Sequence, residues 1–108
     1  MNAPSPIACD LTAIPAAERD QHITTAQSLI RQAQETLHLS NGFALRFANE
    51  KDMFMRLARF VDHERLCCPF FGFSLILEPD HGPIWLHLTG RDGVKEFLQS
   101  ELVPQPAI

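Results

Sequence analysis

Residues 71–89, FGFSLILEPDHGPIWLHLT, decide the fold. Phe71, Phe73, Leu75 and Leu77 are apolar at every second position, Ile84, Leu86 and Leu88 repeat the pattern, and Pro79-Asp80-His81-Gly82-Pro83 interrupts the chain between them. Side chains alternate between the faces of a strand, so each run predicts a strand with one apolar face and the turn residues predict a β-hairpin. Downstream, Asp92 is placed to cap a last helix in which Val94, Phe97, Leu98 and Leu102 face inward. Upstream, Pro69 disfavours helical backbone at Cys68 and predicts the end of a helix there. That helix begins near Asn49, a capping residue with Asp52 three positions on.

Further upstream, Phe43, Leu45 and Phe47 alternate as another strand after an Asn41-Gly42 turn. Ile23, Ala26, Ile30, Ala33 and Leu37 recur at three and four residues, which predicts a helix from about Pro15 to Leu37. Ile7 to Leu11 reads as a short edge strand. The order is βαβαββα: an α+β two-layer sandwich, a mixed sheet of about four strands covered by about three helices. At 108 residues the chain reads as one domain, 1–108, frayed at about 1–6 and 103–108, where prolines 4, 6, 104 and 106 oppose regular structure.

Composition narrows the function. With 45% hydrophobic and 20% charged residues the chain has enough apolar side chains for a core. No apolar run approaches the roughly 18–20 residues that cross a bilayer. A net charge of −4 argues against nucleic acid, whose phosphates call for concentrated positive charge. Cysteines 9, 67 and 68 are odd in number and two are adjacent, so they do not read as an extracellular disulfide framework. Reduced thiols and a cytoplasmic location are expected.

Residues 63–70, HERLCCPF, gather the reactive groups. Met53, Leu57, Phe60, Glu64 and Cys67 share one helical stripe, so Glu64 falls among apolar residues and needs a partner. One reading is a soft-metal site: thiolates from Cys67 and Cys68, completed by Glu64, His63, His87 or Cys9, holding zinc, copper(I) or mercury(II). Neighbouring helical residues point about 100° apart, so both thiols reach one ion only if the helix unwinds at Cys68. The plainer reading is two small thiols packed in the core. A thiol enzyme or redox sensor would use Cys67 or Cys68 with His63 and Glu64, against the negative end of a helix dipole that disfavours thiolate. Together these favour a small non-enzymatic binding or assembly domain, with the thiol enzyme or redox sensor as the alternative.

Arg56, Arg59 and Arg65, with Arg46, read as a solvated face, and His22, His38 and His81 as surface residues. Gly90-Arg91-Asp92-Gly93 lacks the lysine and hydroxyl of a phosphate loop. On the hairpin's other face Ile76, Trp85 and His87 lie beside Ser74 and Thr89, more apolar than a solvent-facing surface usually is. A homodimer burying Ile76 and Trp85 accounts for this, as does a C-terminal tail or long loop folded over them.

Glu64-x-x-Cys67-Cys68-Pro69-Phe70, followed by Trp85-Leu86-His87-Leu88-Thr89-Gly90 and Gly93-Val94-x-x-Phe97-Leu98, resembles a family of short uncharacterised bacterial proteins. The resemblance covers the C-terminal half and implies a bacterial stand-alone domain; it carries no activity or ligand. Arg91 and Asp92 stand where that family is expected to have a proline.

Overall fold

Alternation within residues 71–89 becomes a hairpin of β3 (Gly72–Leu77) and β4 (Ile84–Thr89). The computed structural model describes residues 6–101; of the ends expected to fray, about 1–6 and 103–108, all but Pro6 lie outside the described residues, as does Leu102. Before the hairpin come two 3-10 turns, Leu11–Ala13 and Ala16–Glu18, then α1 (Arg19–Gln32), β1 (Glu35–Leu39), β2 (Gly42–Phe47) and α2 (Met53–Cys67); α3 (Val94–Glu101) follows it. The architecture is α+β, a four-stranded sheet with three α-helices. The strands run in the order β1-β2-β4-β3 and every pairing is antiparallel.

Phe43, Leu45 and Phe47 of β2 stand beside Leu88, Leu86 and Ile84 of β4, and all six are buried. Leu29 of α1, Leu57 and Phe60 of α2, and Val94 and Leu98 of α3 join them in one hydrophobic cluster. Removing an aliphatic or aromatic side chain of this size from water contributes about 1.5–3 kcal/mol, so the central strand pair anchors the core. Gly42 permits the closest approach: a Cβ there would lie 1.9 Å from the carbonyl oxygen of Leu88.

Three expectations are corrected. No strand forms at residues 7–11; Asp10 instead caps the first 3-10 turn, its carboxylate accepting from the Thr12 N–H. The first helix ends at Gln32 rather than Leu37, because Ala33 turns to extended backbone and residues 35–39 pair with β2 across the Ser40-Asn41 turn. Leu37 suits a helical stripe and a strand equally, and the unpaired edge of β2 decides between them. With the early strand gone, the chain runs αββαββα and the sheet is wholly antiparallel. Finally, Asn49 donates from Nδ2 to the Gly82 carbonyl at 3.1 Å, and α2 begins at Met53 behind Asp52, whose φ is 69°.

The stripe of α2 buries Met53, Leu57, Phe60, Glu64 and Cys67, as their spacing predicts. That of α1 is offset by one residue: His22 and Leu29 are buried, while Ile23 is 37% exposed. The opposite face of the sheet carries the row Glu35, Arg46, Trp85, Ile76. Ile76 is 43% exposed there, and the Trp85 indole N–H donates to Glu78 Oε1 at 3.1 Å. No helix among the described residues is long and apolar enough to cross a membrane.

Candidate thiol and metal site

Three segments converge where α2 ends. Cys68 has left the helix, with φ −128° and ψ 68°, because the following proline cannot continue the helical hydrogen bonds. Its side chain therefore swings to the same side as that of Cys67, and the two sulfurs lie 3.5 Å apart. One turn earlier, Glu64 extends Oε1 to 3.1 Å from Cys68 Sγ and Oε2 to 2.7 Å from His22 Nε2 on α1. Cys9 arrives on the N-terminal segment, which is held to the helix end by the Asp10 N–H donating to the Cys67 carbonyl at 2.8 Å.

Cys9 and Cys68 are joined in a disulfide across a sequence separation of 59 residues, and Cys67 remains a buried free thiol. The expectation that all three thiols are reduced is thus corrected, and with it the cysteine argument for a reducing compartment. Sequence spacing gave no sign of this pair, because only the return of residues 6–10 along the end of α2 brings it together. By loop-closure entropy, a crosslink of this span stabilises the folded chain by roughly 4 kcal/mol. Within the disulfide Cys68 has no proton to donate; in the reduced chain its S–H can donate to Glu64.

Burial disfavours the thiolate of Cys67, and the nearby negative charge of Glu64 disfavours it further, so its pKa is raised to about 11. Cys67 is therefore a thiol at neutral pH and a poor nucleophile. It donates instead to the Glu64 backbone carbonyl at 3.6 Å. His22 is 3% exposed, stacks on Phe60 at 5.7 Å and leaves Nδ1 without a partner among the described residues.

Glu64 and the three cysteines thus meet, while two other expected ligands do not join them. His63 donates from Nε2 to Glu18 Oε1 at 3.2 Å and stands edge-on to His22, with centroids 5.5 Å apart. His87 projects from the opposite face of the sheet, in the row of Ala44 and Ser74. His22, expected at the surface, is the residue that sequence reasoning missed; its partner lies 42 residues away, and only its place one position before Ile23 hinted at the helix's inner side. Arg46 lies on the open sheet face, apart from the α2 arginines, and Arg65 pairs with Asp62 at 2.9 Å.

Among the described residues two groups meet metal-ligand spacing: Cys9, Glu64 and Cys68, and His22, Glu64 and Cys67, with donor atoms within 4.8 Å of one another in each. Thiolates on a tetrahedral ion with bonds near 2.3 Å sit about 3.8 Å apart, close to the 3.5 Å between Cys67 and Cys68. Beside these donors lies a cavity of about 290 Å³, lined by Ile23, Ala26 and Ile30 of α1 together with Phe71 and Phe97. No protein-family profile, curated protein or solved structure matches the chain.

Two measurements test this arrangement. Glu64→Ala leaves His22 buried without its partner and is expected to lower unfolding free energy by about 1–3 kcal/mol in chemical denaturation; a neutral substitution would contradict the pairing. The Cys67 proton is held more tightly in the folded state, about 11, than at the ordinary value of 9.0. Its contribution is therefore complete below pH 9 and is lost as pH rises through about 11, a loss of at most roughly 2–3 kcal/mol before solvent screening. Across this window the native chain should lose up to that much stability relative to Cys67→Ala, and the two profiles should run parallel below it.

Proposed function

We propose that this protein is a small non-enzymatic binding domain for a soft metal ion. In the reduced chain Cys9, Cys67 and Cys68 supply the sulfur ligands, and Glu64, oriented by His22, supplies an oxygen. The observation that carries this reading is the convergence of three sulfurs and one buried carboxylate at the end of α2. Thiolates select soft ions, and a cation compensates the charge of Glu64 where solvent does not. Binding displaces the protons of the thiols, so affinity rises with pH. The Cys9–Cys68 disulfide is the oxidised form, in which two of the sulfurs are withdrawn from coordination.

That disulfide, with Cys9 exposed and Cys68 buried, supports a second reading as a redox sensor in which the crosslink itself is the signal. A thiol enzyme is disfavoured, because the remaining sulfur, Cys67, holds its proton at neutral pH.

Reduced protein titrated with zinc, copper(I) and mercury(II) is expected to bind one ion per chain, in competition with a small thiol. The Cys67→Ser, Cys68→Ser double variant should lose that binding, Cys9→Ser should weaken it at least tenfold, and the oxidised chain should bind only after reduction. Equal binding by the double variant would end the metal reading; reversible disulfide formation without ion binding would leave the redox sensor.

The open sheet face supports a homodimer that buries Ile76 and Trp85, since this surface carries exposed apolar groups opposite the helical layer. Light scattering at micromolar concentration should give twice the chain mass of 12.2 kDa, and Ile76→Asp should return it to the monomer value.

A further inference from the structure

On α1, Ile23 is 37% exposed and Ile30 half-buried, whereas Ala26 packs against the core. Ile23, Ala26 and Ile30 have the spacing of a buried stripe, yet the buried positions of this helix are His22 and Leu29. These three residues line the cavity of about 290 Å³ together with Phe71, Phe97, Cys67, Cys68 and Glu64. One chamber therefore joins soft donor atoms to an apolar body. It also holds the buried His22, whose Nδ1 has no partner among the described residues.

We infer that the ligand of this site is a soft metal ion carrying an organic group, with the ion on the thiols and the group seated in the apolar cavity. The inference rests on the soft-metal reading and adds the identity of the ligand class. A bare ion uses only the donor end and makes no contact with Ile23, Ile30 or Phe97. An aryl or short alkyl group bonded to the ion fills what remains: a cavity of about 150 Å³ lined by Leu, Ile and Phe is large enough for benzene, and this one is larger at about 290 Å³. Such a cation has one bond committed to carbon, so it needs fewer thiolates than a bare ion, and the Cys67 and Cys68 pair at 3.5 Å suits it. Its positive charge meets Glu64 at the donor end, and exposed Glu101 also lines the chamber. Burying a ring of this size is worth more than a factor of ten in affinity.

The test compares phenylmercury, methylmercury and inorganic mercury(II) on the reduced full chain, each in competition with the same small thiol, so that intrinsic mercury–sulfur strength cancels. Phenylmercury is expected to hold at least a tenfold advantage over methylmercury. Ala26→Phe, which fills the cavity, should abolish that advantage and leave inorganic mercury(II) binding unchanged. Ile23→Ser, at a position already 37% exposed and hence tolerant of change, should reduce the advantage severalfold and serves where Ala26→Phe does not fold. Retained mercury(II) binding without a phenyl advantage would overturn this inference alone, and failure of every mercurial to compete would overturn it together with the soft-metal reading.

Discussion

A buried carboxylate is costly unless its charge is answered, and the arrangement around Glu64 follows from that cost. Its position on the apolar stripe of α2 is set by the spacing that also buries Leu57 and Phe60. Its partner comes from α1, where His22 replaces an apolar residue on the inner side of the helix and meets it at 2.7 Å. The two helices are thus registered by this buried polar contact and by Arg56 of α2, which donates to Gln32 and Ser28 of α1. Ile23, Ala26 and Ile30 of the same helix line the cavity.

The same carboxylate links stability to chemistry at the sulfurs. It stands next to Cys68, and its charge helps to keep Cys67 protonated. The disulfide to Cys9 fastens the N-terminal segment over this end of the molecule. One group therefore touches the helix packing, the free thiol and the crosslink, and changes in any of them are felt by the others.

Strand alternation at residues 84–88 and the α2 stripe were legible in the sequence because each depends on local periodicity and on burial of one face. The need of Glu64 for a partner was legible as well, from its apolar neighbours. The partner was not: His22, Cys9 and Cys68 meet through contacts spanning 42 and 59 residues, and no local pattern encodes them. Residues 35–39 show a different limit, since Leu37 satisfies both helical and strand spacing until β2 offers a free edge. The Asn49 cap failed for a related reason, its amide being drawn to Gly82 on the far hairpin.

The two hairpins, β1 with β2 and β3 with β4, are local in sequence, whereas the β2 and β4 pairing must wait for α2 to carry the chain between them. Cys67 and Cys68 are neighbours on the chain before any of this happens, so they can chelate a soft ion in the unfolded state too. Glu64 is one helical turn away, whereas Cys9 and His22 join them only through tertiary contacts. An ion held by the adjacent thiols alone would therefore not favour the folded state; under the proposed function, only the contribution of Cys9 and His22 would couple binding to folding.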